Sequence, residues 1–329
     1  MIRTLRATLL GSAMLLSAAQ AETLSIPGPA GALQGEALIV PGAKAGVMII
    51  PGSGPIDRDG NMPMAKTDTY RLLADGLAGA GISSLRIDKR GFGGSETAIA
   101  DQADITIATY AQDARDWAAT FAAKIGTDCV WIAGHSEGGL VALVAAAEQA
   151  KAGQAKAGQA QAGGGRICGL VLMAAPGRKV SDLMRMQFRQ NPYNAPVLDE
   201  LDGIVGSLER GEYRDEEKIT PAIRPLFSKG LQRYMMQLFT YDPVEVAKGV
   251  TLPVLILQGD RDMQVKSEDA ALLAKALPQA RSVPLPGVTH MLKADVPGNP
   301  FATYQDPKLP LDPALVPAIV DFIGSHHGK

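Results

Sequence analysis

The sequence predicts an α/β protein with a mostly parallel central sheet and helices on both faces of that sheet. Two observations support this prediction: strand and helix patterns alternate along most of the chain, and some strand patterns are continuously apolar. Alternation of this kind builds parallel sheets, because each helix returns the chain to the edge where the previous strand began. Residues 45–50 form such an apolar run, which is typical of a strand buried on both faces.

The elements follow one another in a regular order. The predicted strands are residues 23–26, 33–40, 45–50, 82–87, 130–133, 170–174, 254–257 and 281–285. The predicted helices are residues 70–80, 105–123, 140–149, 267–276 and 313–323. With 329 residues, 46% of them hydrophobic and 20% charged, the chain fits one large soluble domain with an insertion, or two modest domains.

Two segments interrupt the alternation. Residues 149–165 repeat Gln, Ala, Lys and Gly, which is typical of a helix end followed by a flexible surface loop, and we assign them no chemistry. Residues 177–250 have helical character and are too long for a loop, so they predict a helical cap inserted between strands 6 and 7. The core would then comprise residues 22–176 and 251–329.

The predicted cap is rich in pliable apolar side chains. They either only attach the cap to the core or also line an acyl-binding pocket, and the pattern leaves both interpretations open. These side chains are Met184, Met186, Phe188, Met235, Met236, Leu238 and Phe239.

Residues 1–21 have the composition of a secretory signal peptide. Arg3 and Arg6 precede an apolar run, and Ala19-Gln20-Ala21 matches a small-x-small cleavage site. The run is too short to cross a membrane, so we expect a periplasmic or secreted protein without stable membrane insertion. A formal net charge of −2 with interspersed acids and bases offers no surface for nucleic acid.

Cys129 and Cys168 are the two cysteines of the chain. Each begins a predicted strand, and the two strands should be neighbours. In an oxidising compartment the pair can form a disulfide, and the alternative is two buried free thiols. So few soft ligands do not favour a metal site, and we expect neither a metal nor a cofactor.

A Gly-His-Ser-Glu-Gly segment at 134–138 joins a predicted strand to a predicted helix. A serine in this context sits on a sharp turn that requires glycine on both sides, and the helix amino terminus favours developing negative charge. Ser136 is therefore the candidate nucleophile, and it needs a base to take its proton.

Four histidines compete for the role of that base. His326 and His327 lie at the C-terminus, where chains fray, and His135 adjoins the serine and should point away from its attacking face. His290 remains, in a loop after the last predicted strand. The carboxylate that orients it should come from Gly-Asp-Arg-Asp at 259–262. Asp262 is preferred over Asp260, because Asp260 directly follows the strand and can instead brace the turn.

These motifs, with Asp-Lys-Arg-Gly-Phe-Gly-Gly-Ser at 88–95 and the Gly-Ser-Gly-Pro segment at 52–55, resemble the α/β-hydrolase superfamily over almost the whole mature chain. The resemblance is greatest to its esterase and lysophospholipase-like branch. It implies an α/β-hydrolase fold with chain order Ser136, Asp262, His290. It also implies that Arg90 and Ser95 brace a neighbouring loop.

The resemblance further implies two backbone N–H donors for an oxyanion. One belongs to Glu137, the residue after the nucleophile. The other comes from the loop after the third strand, where Ser53 holds the matching position. Many relatives carry His-Gly where this chain has Pro-Gly-Ser-Gly at 51–54, so Gly52 is the next candidate.

The acidic segment that follows, with Asp57, Asp59, Asn61 and Asp68, has ligand-like spacing for calcium. It lacks the glycine and the bidentate glutamate of a calcium loop, because Met62 and Asp68 stand at those positions. A charged, hydrogen-bonded loop beside the active site is the favoured interpretation.

The expected function is hydrolysis of carboxylic esters through an acyl-enzyme, on a small-molecule substrate with an apolar acyl or aryl group. The alternatives are a peptidase or amidase on the same fold, and a catalytically silent binding protein.

Overall fold

The computed structural model describes residues 18–326, except 102, 104 and 156–165. The strands are β1 (Gln20–Pro27), β2 (Ala32–Ile39), β3 (Gly46–Ile50), β4 (Ser83–Ile87), β5 (Cys129–His135), β6 (Arg166–Met173), β7 (Val254–Gly259) and β8 (Arg281–Leu285). Within the described ranges they form one eight-stranded sheet in the order β1-β2-β4-β3-β5-β6-β7-β8. β1, β2 and β4 pair antiparallel, whereas β3 to β8 run parallel to one another. The mostly parallel sheet is therefore confirmed.

From β3 onward, helices connect consecutive strands, and two further helices follow β8. The helices are α1 (Thr69–Gly79), α2 (Ile107–Ile125), α3 (Glu137–Ala155), α4 (Val180–Gln190), α5 (Leu198–Glu209), α6 (Lys229–Leu238), α7 (Pro243–Ala247), α8 (Ser267–Ala276), α9 (Ala302–Gln305) and α10 (Leu315–Gly324). The sequence encodes both ends of α2. Thr106 caps α2 by accepting from the Thr109 N–H, and Gly126 ends the same helix in a left-handed conformation.

Two hydrophobic layers cover the sheet, one on each face. Met48 and Ile50 of β3 contact the layer that contains α2, α3 and α8. Val47 and Ile49 contact the other layer, which α1 and α10 complete. Since successive side chains of a strand point to opposite faces, the continuous apolar run fills both layers.

The strand order places a topological switch point between β3 and β5. The chain leaves β3 through α1 on one face of the sheet and leaves β5 through α3 on the other. In open α/β sheets, ligands bind outside the carboxyl ends of the strands at such a point. The Ser53 loop follows β3 and Ser136 follows β5, and the two strand ends are adjacent because Ile50 pairs with Gly134.

The segment between β6 and β7 contains α4 to α7 and three short 3₁₀ turns. Helical structure therefore occupies the stretch that the sequence assigns to an inserted cap. Leu238 and Phe239 are buried in the main hydrophobic layer, and Phe188, Met235 and Met236 pack against it. These five side chains therefore belong to, or pack against, the same hydrophobic layer as α2, α3 and α8. Its status as a separate domain, like the other domain boundaries, stays a prediction.

Both ends of the described chain bear on the sequence predictions. β1 begins at Gln20, and its first residues pair with Ile39 and Leu38. Most of the predicted signal peptide, much of the Gln/Ala/Lys/Gly-rich segment and His327 lie outside the described residues. Of the helices in the described part of the chain, none combines the length and hydropathy needed to cross a bilayer.

A disulfide links Cys129 to Cys168 at the amino ends of β5 and β6, with the two Cα atoms 5.2 Å apart. The two strands are hydrogen-bonded neighbours, as expected from the sequence. Of the two alternatives for this cysteine pair, the structure has the bridged one.

Replacing both cysteines with serine should lower the free energy of unfolding by about 4 kcal/mol, because the bridge closes a 39-residue loop in the unfolded chain. Thermal unfolding should show a melting temperature several degrees below that of the wild type. Dithiothreitol should lower the wild-type value equally and leave the double variant unchanged. A wild-type melting temperature that is insensitive to the reductant would contradict the prediction.

Candidate active site

Ser136 lies on the turn between β5 and α3, and its backbone is left-handed, with φ of 53°. The turn is tight enough to require glycine on both sides. A Cβ on Gly134 would lie 2.3 Å from the Gly138 carbonyl oxygen, and a Cβ on Gly138 would lie 2.4 Å from the Ile50 carbonyl oxygen. A non-glycine residue in this conformation is strained, and such strain concentrates at functional sites. The Ser136 side chain is left partly exposed at the amino terminus of α3.

His290 lies in the loop after β8 and is bonded to a buried carboxylate. Its Nδ1 is 2.7 Å from Asp262 Oδ2. Asp262 Oδ1 also accepts the backbone N–H groups of Gln264 at 2.7 Å and Val265 at 2.9 Å. Burial raises the pKa of Asp262, but His290 and these N–H donors outweigh burial, so the pKa lies below its ordinary value. The carboxylate therefore stays ionised at neutral pH and holds the proton of His290 on Nδ1.

Asp260, the competing acid, is exposed and has a different partner. Its Oδ1 accepts the Gly287 N–H at 2.7 Å, which ties the end of β7 to the turn after β8. Asp260 therefore braces the turn, whereas Asp262 contacts the imidazole.

Ser136 and His290 line the same cavity of about 280 Å³, together with Ser53 and Glu137. The structure thus brings together residues from the ends of β3, β5 and β8, and the bond from Asp262 adds the end of β7. With Nδ1–H directed at Asp262, the Nε2 of His290 is left as a proton acceptor.

The backbone N–H groups of Ser53 and Glu137 are the two candidate donors for an oxyanion, and they differ in their hydrogen bonding from the N–H of Gly52, the alternative to Ser53. The Gly52 N–H donates to Tyr70 Oη at 3.1 Å and is therefore already used. Within the described part of the chain, the backbone N–H groups of Ser53 and Glu137 donate to no protein acceptor. The side chains of the same two residues bond to each other, Ser53 Oγ to Glu137 Oε2 at 2.8 Å.

Lys89 fixes the orientation of the peptide that carries the Ser53 N–H. Its ammonium group, buried at 4% exposure, donates to the Gly52 carbonyl oxygen at 2.5 Å and to Glu137 Oε1 at 3.3 Å. The C=O and N–H of a trans peptide point in opposite directions, and no cis peptide occurs in the described residues. Lys89 therefore directs the Ser53 N–H away from its own ammonium group.

His135 is buried beside the candidate base, with the two ring centroids 4.7 Å apart. Both of its ring nitrogens have partners: Nδ1 is 2.9 Å from Tyr70 Oη, and Nε2 is 2.8 Å from the His290 carbonyl oxygen. Burial and the neighbouring His290 lower the pKa of His135 to about 3, so this ring is neutral. It offers Ser136 no free acceptor.

Tyr70 and Lys89 are site residues that the sequence analysis missed. Their partners are distant in sequence, so no local spacing reveals the contacts. The one available signal was that Lys89 belongs to the 88–95 motif. In that motif Ser95 Oγ accepts the Gln34 N–H at 2.8 Å, and Arg90 pairs with Asp113, so each holds a loop in place.

Polar groups of the acidic loop after β3 form hydrogen bonds with one another. Asp57 Oδ1 accepts the Asp59 N–H at 2.9 Å and the Asn61 N–H at 2.8 Å, and Asn61 Nδ2 donates to Asp68 Oδ1 at 2.7 Å. Asp59 also pairs with Arg86. Among the residues that the structure describes, no cluster of acidic, His or Cys side chains is arranged to hold a metal.

The chain is similar to known hydrolases. A family model described as serine aminopeptidase, S33, matches residues 65–296. Esterase EstD of Thermotoga maritima is 27% identical over 237 residues, which make up 70% of this chain and 50% of EstD. This chain thus spans about half the length of that relative.

Solved structures share the fold at low sequence identity. GrgF, an α/β hydrolase from Penicillium sp. sh18, has a TM-score of 0.60 at 16% identity, over 94% of this chain and all of its own. Est1E from Butyrivibrio proteoclasticus has a TM-score of 0.56 at 17% identity, over 93% of this chain and 99% of its own. A second Est1E structure, with ferulic acid bound, has a TM-score of 0.52 at 19% identity, over 96% of this chain and all of its own. The α/β-hydrolase fold is confirmed, and with a family model covering more than two thirds of its length, the chain belongs to the serine aminopeptidase S33 family of α/β hydrolases.

Proposed function

We propose that this protein is a serine hydrolase that cleaves carboxylic esters through an acyl-enzyme. One observation carries the proposal: the imidazole bonded to Asp262 lines the same cavity as the strained serine at position 136. The nucleophile, the base and the acid come from separate loops, and a base oriented by a third group beside a serine is the arrangement that activates such a nucleophile.

The mechanism follows from the directions of the hydrogen bonds. Ser136 Oγ attacks the ester carbonyl carbon, and its proton passes to His290 Nε2. The carbonyl oxygen becomes negative and accepts the N–H groups of Ser53 and Glu137. The alcohol leaves with the proton from His290, and water then repeats these steps on the acyl-enzyme to release the acid. Asp262 stays ionised throughout and stabilises the imidazolium.

The cavity lining supports an ester with an apolar acyl or aryl group. Its apolar side chains include Ile56, Val180, Leu183 and Met184. Of the seven pliable residues of the predicted cap, Met184 is the one among the described lining residues. The relationship to EstD and the Est1E complex with ferulic acid are consistent with this substrate class.

The name of the family model favours a second candidate, an aminopeptidase. Such an enzyme needs a free carboxylate to bind the ammonium group of its substrate. Among the described lining residues the acid is Glu137, which already accepts from Lys89 and Ser53. This arrangement favours the esterase, and it also leaves the peptidase open to direct measurement.

The composition of residues 1–21 supports export to the periplasm or the medium. Cleavage after Ala21 would remove two residues from the start of β1. Acyl-CoA thioesters are cytosolic, so an exported enzyme would act on other esters.

Purified wild-type protein should hydrolyse p-nitrophenyl acetate and butyrate, and the Ser136→Ala variant should lose at least a thousandfold in kcat/KM because the nucleophile is absent. A fluorophosphonate probe should label the wild type and not the variant. Turnover of aminoacyl anilides but not of esters would identify the peptidase instead. A folded wild-type protein with neither turnover nor labelling would indicate a binding protein.

Asp262→Asn should lower kcat by about 10³ to 10⁴-fold. The asparagine amide would donate to His290 Nδ1, so the imidazole proton would lie on Nε2, and Nε2 could then not accept the proton of Ser136. Asp260→Asn is the matched control, with the same chemical change in the same loop, and should keep kcat within a few-fold. Equal losses in the two variants, measured per fluorophosphonate-titrated site, would exclude the assignment of Asp262.

Met184→Trp should narrow the cavity and reduce kcat/KM for p-nitrophenyl octanoate at least tenfold more than for the acetate, because the longer chain needs the displaced volume. Met186→Trp, on the same helix but outside the cavity lining, should leave the ratio of the two esters at its wild-type value. An unchanged ratio in Met184→Trp would show that the acyl chain lies elsewhere.

A further inference from the structure

Three buried hydrogen bonds connect the loop after β3 to the loop after β8. The Gly52 N–H donates to Tyr70 Oη at 3.1 Å, Tyr70 Oη lies 2.9 Å from His135 Nδ1, and His135 Nε2 lies 2.8 Å from the His290 carbonyl oxygen. Tyr70, His135 and His290 are each at most 3% exposed. Water therefore does not compete for these bonds, and each restrains its partners strongly.

The direction of every proton in this chain is determined by its two ends. A peptide N–H can only donate and a peptide carbonyl can only accept. Tyr70 Oη accepts from Gly52, so its single proton goes to His135 Nδ1. The neutral His135 then carries its proton on Nε2 and donates it to the His290 carbonyl. One tautomer satisfies all the donors, and a protonated His135 would leave the Tyr70 proton without an acceptor.

The two ends of this row of hydrogen bonds belong to two different loops. Both loops must act on the same ester carbonyl group of the substrate. Gly52 precedes Ser53, whose N–H is the proposed oxyanion donor, and His290 is the proposed base. Lys89 holds the Gly52 carbonyl, so the Tyr70 bond supplies the restraint on the other side of the same residue. Both peptide planes that flank Gly52 are then fixed.

A second side chain at the start of α1 also lies against the β8 loop. Thr69 Oγ1 is 3.3 Å from the Met291 carbonyl oxygen, next to His290, and its hydroxyl also has Thr67 Oγ1 as a closer acceptor at 3.0 Å. The first residues of α1 therefore contact the β8 loop through Thr69 and the β3 loop through Tyr70. Neither side chain supplies a group to the proposed chemical steps.

We propose that Tyr70 and His135 are positioning residues that set the distance and orientation of the oxyanion donor at Ser53 relative to the base at His290. This proposal rests on the proposed serine hydrolase function. It predicts that removing one of these hydrogen bonds weakens binding of the transition state more than binding of the substrate. A displacement of about 1 Å in such a site can cost up to about a hundredfold in rate.

Tyr70→Phe removes one hydroxyl and keeps the packed ring. Kinetics with p-nitrophenyl butyrate, normalised to fluorophosphonate-titrated sites, should show kcat reduced by about 10 to 100-fold with KM within about twofold of the wild type. Affinity for an alkyl trifluoromethyl ketone, whose serine adduct carries an oxyanion, should fall by the same factor. A loss of folding stability alone would change the fraction of titrated sites and leave these ratios unchanged.

Tyr110→Phe is the matched control. Tyr110 is also buried, at 4% exposure, and its hydroxyl donates to the Arg90 carbonyl oxygen at 3.5 Å, outside the chain of hydrogen bonds. Phenylalanine keeps the ring that packs beside the Lys89 ammonium group. Its kcat and its affinity for the ketone should equal those of the wild type. Equal losses in both tyrosine variants would show a general packing effect and overturn the proposal.

His135→Asn tests the other half of the chain, because its amide oxygen can still accept from Tyr70 but the side chain is too short to reach the His290 carbonyl. It should lower kcat by a similar factor, and it keeps the test available if Tyr70→Phe does not fold. The kcat of the double variant should be no lower than that of the less active single variant, because both substitutions interrupt the same row of hydrogen bonds. Multiplying losses, or a Tyr70→Phe kcat within twofold of the wild type, would overturn the proposal.

The wild-type measurement separates the two levels of inference. If the wild type is neither titrated by the fluorophosphonate nor active on the ester, the proposed function fails. If the wild type is active and titrated while the variants match it, the function stands and the positioning role is wrong.

Discussion

The site depends on the left-handed backbone of Ser136, which lies between a parallel strand and a helix. The turn is possible because Gly134 and Gly138 bring backbone atoms closer together than any side chain would permit. A strained conformation persists only when its surroundings determine it more strongly than the strain opposes it. Here β5 is hydrogen-bonded on both sides, the Ser136 N–H donates to the Met173 carbonyl at 2.9 Å, and α3 is buried against the sheet.

Around this rigid serine, the other groups are held by polar contacts in a nearly dry environment. Lys89 and Glu137 form an ion pair with side-chain exposures of 3% and 2%. The Lys89 ammonium also lies 5.6 Å from the Phe92 ring centroid and 5.2 Å from that of Tyr110. Burying such a pair contributes little net stability, because removing both charges from water is costly. What the pair provides is geometry, since it holds one peptide plane and the carboxylate that bonds Ser53.

Much of the fold could be predicted because its signals are local. The alternating patterns predicted α8 and β8 with the bounds that the structure has. The spacing of the glycines around Ser136 was sufficient to predict the turn. Choices between near neighbours could not be settled in the same way. Asp260 and Asp262 are two residues apart at the same strand end, and only the three-dimensional path of the β8 loop decides which carboxylate faces the imidazole. The choice between Gly52 and Ser53 as oxyanion donor depends on the hydroxyl of Tyr70, which occupies the Gly52 N–H and lies 18 residues away in sequence. The partners of Lys89 lie 37 and 48 residues away, and no periodicity encodes them.

The disulfide and Ser136 lie at opposite ends of the same strand. Cys129 begins β5 and His135 ends it, which in an extended strand is a separation of about 20 Å. We therefore expect oxidation of the thiols to act on the entropy of the unfolded chain and to leave the backbone at the carboxyl end of the sheet unchanged. For the proposed hydrolase, folding stability and turnover should therefore depend on two distant places, and we expect a reducing medium to shorten the lifetime of the molecule without changing the chemistry of each remaining folded copy.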